Sequence, residues 1–172
     1  MCSAQQDVEH FNCQEKLYST FSLILKLMNT QQVNSKLKSC AIFRGTFSRN
    51  NVPKTKERPV AYIINTDSEK EPGEHWVAVY LRLDGVCIYF DPFGFPPLHE
   101  DFVNFIKSSS PNGLVYSSLS LQNVFSTLCG WYCIDFVQAM ETKSSLKSFL
   151  KQFRKCTLCN DELLMSKYNI QE

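Results

Sequence analysis

Cys129, Gln122, His75 and Asp91 are the residues of this sequence whose types and order suggest joint chemistry. Cys129 is followed at once by Gly130 and then by an apolar run, Trp131, Ile134, Phe136, Val137 and Met140, which reads as a buried helix. A thiol at a helix N-terminus meets unpaired backbone N–H groups and the positive end of the helix dipole. Both favour the thiolate, the form in which cysteine is a nucleophile. Gln122, seven positions earlier, offers an amide N–H to a developing oxyanion. A thiolate also needs a base or ion-pair partner, and an imidazole needs an acceptor that fixes its orientation. His75 and Asp91 supply those two groups. Taken singly each is weak evidence: cysteine is commonly buried for packing alone, and aspartate before proline is commonly a turn residue.

The elements that must position them can be read in outline. Val60 to Asn65 is rich in β-formers, and His75 to Leu83 and Val86 to Asp91 flank the hairpin dipeptide Asp84-Gly85. The loop length decides whether His75 and Asp91 can meet. A two-residue turn puts Asp91 opposite Ala78, on the face away from His75, because side chains alternate along a strand. A three-residue loop, Leu83-Asp84-Gly85 with glycine in a left-handed bulge, puts Asp91 opposite Val77 and makes it a diagonal neighbour of His75. The chemistry predicts the glycine-bulge loop. Pro92 to Pro97 cannot continue the sheet, and Leu98, Phe102, Phe105 and Ile106 then predict a helix to about Lys107. Leu114 to Leu121 reads as a short strand that delivers Gln122. Upstream, Leu17, Phe21, Ile24, Leu25 and Met28 predict an amphipathic helix from Gln14 to Met28, after a polar tail at residues 1–13. Downstream, Ser144 or Ser145 caps a last helix with Leu146, Phe149, Leu150 and Phe153 on its apolar side.

Composition sets the frame. The chain has 172 residues with a net charge of +1, 44% hydrophobic and 20% charged residues, values of an ordinary folded domain, so residues 14–172 are expected to form one domain and a monomer. No global charge directs it to nucleic acid. Two local basic stretches, Lys36 to Arg58 and a lysine stripe at Lys143, Lys147, Lys151 and Lys155, are the candidates for a polyanion and are read first as solvated faces. Apolar runs are too short to span a bilayer and the N-terminus lacks a signal-peptide pattern, so an intracellular protein with no membrane association is expected. The eight cysteines are scattered, so free thiols are expected. Cys156-Thr-Leu-Cys159 has zinc-like spacing without a second pair, since only His10 and Cys13 remain as partners; no metal is expected.

The segments Pro72-Gly73-Glu74-His75-Trp76-Val77-Ala78-Val79-Tyr80, Tyr89-Phe90-Asp91-Pro92-Phe93-Gly94-Phe95 and Gln122 with Cys129-Gly130-Trp131-Tyr132-Cys133 resemble, in that order, the adenain-like and Ulp-type cysteine proteases. The resemblance covers about Val60 to Phe136. It implies an α+β, papain-like domain, a central mixed and mainly antiparallel sheet flanked by helices, with the cysteine at a helix N-terminus. It further implies Cys129 as nucleophile, His75 as base and later acid, Asp91 as orienting carboxylate, and Gln122 with the Cys129 N–H as oxyanion hole. Gly130 leaves room for the substrate carbonyl, and Trp76 is the aromatic beside the histidine or else a core indole on the opposite sheet face. Asp91 stands where adenain-type enzymes can have Glu and where Asp is usual in the Ulp branch. The function implied is a cysteine endopeptidase processing viral or transposon-type precursors, acting on a protein or peptide substrate. The alternative is a deconjugase of a ubiquitin-like modifier of the SUMO or NEDD8 type, and a third class is a binding module that keeps only the fold. No cofactor is required; weak, salt-sensitive stimulation by DNA is the most that the basic stretches suggest. No cysteine matches the position at which adenain-type enzymes link an activating peptide.

Overall fold

The computed structural model describes residues 27–170. The tail at residues 1–13, His10 and Cys13, and all but the end of the helix expected from Gln14 to Met28 lie outside the described residues. Ten elements follow: α1 (Thr30–Lys36), β1 (Phe43–Ser48), β2 (Val60–Asn65), β3 (Trp76–Leu81), β4 (Cys87–Phe90), α2 (Glu100–Ser109), β5 (Leu114–Tyr116), α3 (Cys129–Glu141), α4 (Leu146–Leu150) and α5 (Thr157–Tyr168). The strands form one sheet in the order β1-β2-β3-β4-β5. It is mixed, as expected, with antiparallel pairing confined to the centre: β2-β3 and β3-β4 are antiparallel, whereas β1-β2 and β4-β5 are parallel.

Helices cover both faces of the central strands, which is why these strands read as continuous apolar runs rather than alternating ones. Ala61, Ile63, Trp76, Ala78, Ile88 and Phe90 pack under α3 with Tyr132, Cys133, Phe136 and Val137. Val60, Tyr62, Ile64, Val77, Val79 and Tyr89 pack against Phe102, Phe105 and Ile106 of α2 on the other face. Aromatic contacts knit the first layer: the Phe90 and Phe136 rings stack at 4.8 Å, and Phe149 of α4 meets both edge-on.

The β3-β4 hairpin has the register of the three-residue loop. Ala78 pairs Phe90 and Leu81 pairs Cys87, and Arg82 N–H donates to the Val86 carbonyl to close Leu83-Asp84-Gly85. Gly85 has φ +80°, the left-handed conformation that the bulge needs and that side chains disfavour.

The two basic stretches differ in how the fold places them. Lys36 to Arg58 starts at the last residue of α1 and contains β1, and its arginines are engaged within the protein. Arg44 pairs with Glu57, Arg49 with Glu71 and Asp101, and Arg58 donates to the Ser109 carbonyl. The lysine stripe does not exist as a helix face, because α4 ends at Leu150 and Lys143 lies before it in a left-handed turn at φ +59°. Ser145 caps α4, accepting from Ser148 N–H at 3.1 Å. The last helix is α5 instead. Its first turn is closed by a disulfide between Cys156 and Cys159, so these two are not free thiols. The three-residue spacing brings their Cα atoms within 5.3 Å. Cys40, Cys87, Cys129 and Cys133 are free and buried. Among the described residues no helix is long and apolar enough to cross a membrane, and no cluster of ligating side chains could hold a metal.

Candidate active site

His75 ends the loop that leads into β3, and its carbonyl accepts from Thr66 N–H at 2.9 Å, so the backbone is fixed before the side chain is considered. Asp91 follows the last residue of β4 and is buried. The hairpin register places both beyond the paired strands on the same face, and His75 Nε2 lies 3.0 Å from Asp91 Oδ1. Phe93 N–H donates to the same carboxylate oxygen at 2.8 Å, and the Phe93 ring stacks on the imidazole at 4.8 Å. This phenylalanine is a site residue that the sequence reading passed over, since nothing in Pro92-Phe93-Gly94 announces a stack. Gly94, at φ +79°, lies so close to the Ser118 and Leu119 backbone that a Cβ would sit 2.8 Å from it. The loop carrying Phe93 is thus pressed onto the segment that leads to Gln122.

Cys129 opens α3, 2% exposed, at a helix start that no side chain caps and whose first turn carries no acidic residue. The helix dipole therefore acts on the thiol without a competing carboxylate. With Nε2 of His75 on Asp91, Nδ1 is the nitrogen left for the sulfur, which is the imidazole's second hydrogen-bond partner. Burial, the largest single influence, pushes the imidazole toward its neutral form. The hydrogen bonds to Asp91 and Cys129 and the charges of both outweigh it, and the His75 pKa is raised from 6.5 to about 9. The two partners thus favour the imidazolium form of the ring, which lies between a carboxylate and a sulfur.

Trp76 proves to be the core indole on the opposite sheet face. It is buried under α3, and its Nε1–H donates to the Met28 carbonyl at 2.8 Å. Gly130 belongs to the same packing. A Cβ there would lie 3.2 Å from Met28 and 3.4 Å from Trp76 Cδ1, so its small size seats α3 on the indole. Cys133, one turn after Cys129, donates to the Trp76 carbonyl at 3.3 Å and is core.

Gln122 is 1% exposed, and its backbone N–H and that of Leu121 both donate to the Pro92 carbonyl, at 3.1 and 2.9 Å. The segment bearing Gln122 is thereby tied to the residue after Asp91. The amide is partly engaged: Nε2 donates to the Ser126 carbonyl at 2.7 Å and at the longer distance of 3.2 Å to Ser126 Oγ, while Oε1 is buried without a partner among the described residues. Beneath this loop lies α5, which the sequence reading missed altogether. Asp161, fully buried, accepts from Tyr132 Oη–H at 2.7 Å and from Asn123 N–H at 3.3 Å, and Asn160 Nδ2–H donates to the Leu121 carbonyl at 3.0 Å. Burial holds the Asp161 pKa up at about 6, against hydrogen bonds from Tyr132, Ser126 and Asn123 that lower it.

No family model matches the chain. The protease of Bovine adenovirus B serotype 3 is 29% identical over 113 aligned residues, which cover 56% of this chain and 55% of that protein. The chain thus spans about half the length of this relative. Among solved structures, the ASFV pS273R protease superimposes with a TM-score of 0.58 at 16% identity, covering 80% of this chain and 65% of that one. A weaker likeness, TM-score 0.46 at 12% identity over 84% of this chain and 80% of that one, is to the SUMO protease Ulp1. An adenovirus protease is thus similar in sequence and the ASFV pS273R protease in fold.

Proposed function

We propose that this chain, a relative of the adenain-like and Ulp-type cysteine proteases, is itself a cysteine endopeptidase that cleaves protein precursors of a virus or virus-like transposon. The observation that carries the reading is the half-buried His75 imidazole, 3.0 Å from Asp91 and hydrogen-bonded also to the sulfur of Cys129 at an uncapped helix start. Cys129 attacks the scissile carbonyl as the thiolate, and the charge moves to the carbonyl oxygen. The Cys129 N–H and the Gln122 amide hydrogen not spent on the Ser126 carbonyl stabilise that oxyanion. His75 gives its Nδ1 proton to the departing amine, leaving a thioester on Cys129. The neutral imidazole then takes a proton from water, whose oxygen attacks the thioester, and returns it to the sulfur as the acid product leaves. Asp91 keeps Nδ1 aimed at the sulfur throughout by holding Nε2, and the stacked Phe93 ring restricts the imidazole's rotation.

The adenovirus relative is a protease, which supports peptide-bond cleavage as the reaction. Cleavage profiling on a peptide library tests it: the wild-type chain should cleave a defined subset, and Cys129→Ala none. A panel of ubiquitin-like modifiers bearing C-terminal electrophiles runs beside it. Labelling of Cys129 by one modifier, with no peptide cleaved, would replace the endopeptidase by a deconjugase.

A further inference from the structure

The donor half of the site is assembled by a helix that contributes no reacting group. Gln122 reaches its position through a loop, residues 121–128, whose backbone belongs to no strand or helix. Such a segment aims a side chain reproducibly only if its own polar groups are tied down. Those ties converge on the first turns of α5. The Leu121 carbonyl accepts from Asn160 Nδ2–H at 3.0 Å and lies 3.2 Å from Tyr132 Oη, whose one hydrogen goes to Asp161. Asn123 N–H donates to Asp161 Oδ2 at 3.3 Å, and Asn123 Nδ2–H to Thr157 Oγ1 at 3.4 Å. The Ser126 hydroxyl is a further hydrogen-bond partner of the Asp161 carboxylate. Ser126 in turn is the residue whose carbonyl takes the short 2.7 Å hydrogen bond from Gln122 Nε2. A path of hydrogen bonds therefore runs from Asp161 through Ser126 to the Gln122 amide.

We propose that Asp161 is a positioning residue for Gln122: its buried carboxylate gathers Asn123 N–H, the Ser126 hydroxyl and Tyr132 Oη–H, and so aims the Gln122 amide at the oxyanion. The choice of residue type follows from valence. Three donors converge on one side chain, none of them needs a donor in return, and a carboxylate has four lone pairs and no hydrogen to obstruct them. An asparagine in its place offers one oxygen and turns an NH2 group toward groups that are themselves donors. Full burial leaves no water to substitute for the lost acceptor.

The inference rests on the endopeptidase reading, and its test exploits the fact that alkylation of a thiolate by iodoacetamide forms no oxyanion. Asp161→Asn should lower kcat on a cleaved peptide amide about 10- to 100-fold with KM little changed, while the rate of Cys129 alkylation stays within about twofold of wild type. In a Gln122→Ala background the same substitution should cost nothing further, because Asp161 acts through that amide. Ser126→Ala, which removes a hydroxyl from a partly exposed loop residue, should show the same split between turnover and alkylation and serves where Asp161→Asn fails to fold. Wild-type kcat in Asp161→Asn, parallel loss of turnover and alkylation, or a full additive loss in the Gln122→Ala background would each overturn the assignment. Turnover that survives Cys129→Ala overturns the endopeptidase reading itself, which is a separate result.

Discussion

The two halves of the candidate site are held in different ways. His75 and Asp91 sit at the ends of two adjacent strands, and a single variable, the hairpin register, brings Nε2 to 3.0 Å from Oδ1. Gln122 and Cys129 are separated by an irregular loop on which Val124 and Phe125 stand 71% and 64% exposed, and its geometry comes from contacts with three other parts of the chain: Pro92, α3 and α5. One half is specified by a repeat period, the other by tertiary anchoring. A local pattern in the sequence can therefore encode the first but not the second, and substitutions should act on them differently.

The largest effect should come from the pair through which the two halves meet. Cys129→Ala and His75→Ala are each expected to lower turnover by at least about 1,000-fold without changing the cooperative melting transition, measured by steady-state cleavage and calorimetry. Next, Gln122→Ala should cost about 100- to 1,000-fold in kcat, the usual loss for one oxyanion donor, with thiol alkylation retained. A proportionate loss of alkylation would mean that the two halves are not separable in the way their anchoring implies. Asp91→Asn should cost less, about 10- to 100-fold, and should also reshape the pH profile. The raised His75 pKa places the loss of the imidazolium near pH 9, so wild-type activity falls as pH rises through about 9, and in Asp91→Asn it should fall at lower pH. The same shift contributes stability that is fully present below pH 6.5 and is lost as pH rises through about 9, which urea titrations at pH 6 and pH 10 would detect.

Smaller effects probe the scaffold. Gly85→Ala forces a Cβ into a left-handed residue and to 2.9 Å from Asn112 Nδ2. It should cost about 1–2 kcal/mol by chemical denaturation while leaving kcat within a few-fold of wild type. A large loss of kcat at unchanged stability would show that the register tolerates less than the paired strands suggest. The smallest effect should be that of DNA. With Arg44, Arg49 and Arg58 engaged within the protein, stimulation at low salt should not exceed about twofold and should vanish with added salt. Turnover unchanged by DNA at low salt would dismiss a polyanion role.

The same contrast explains what was legible in the sequence. Runs of β-formers and the Asp84-Gly85 turn carry the β3-β4 hairpin, the chemical need for His75 to meet Asp91 selects its register, and the step from Cys129-Gly130 into an apolar run carries the start of α3. β1 was not legible, because Gly45, at φ +128°, and a register shift between Phe43 and Thr46 break its alternation, and its basic residues drew the eye to charge instead. α1, seven residues long with one buried side chain, leaves almost no apolar period. α5 shows little amphipathic contrast and hides its two informative residues, Asn160 and Asp161, in a polar stretch after Cys159. Nothing local marks an aspartate as buried when its partners lie 29 and 38 positions away. The disulfide was missed by an argument from compartment, while the spacing alone was compatible with it.

The unequal reach of the contacts also orders the events of folding. The His75–Asp91 contact closes a 16-residue loop within a hairpin, a step of low entropic cost that a nascent chain can take early. The Asn123–Asp161 contact must wait until residues beyond 150 have been made and α5 has docked. A growing polypeptide therefore has the His75–Asp91 contact within reach before the segment bearing Gln122 can be anchored.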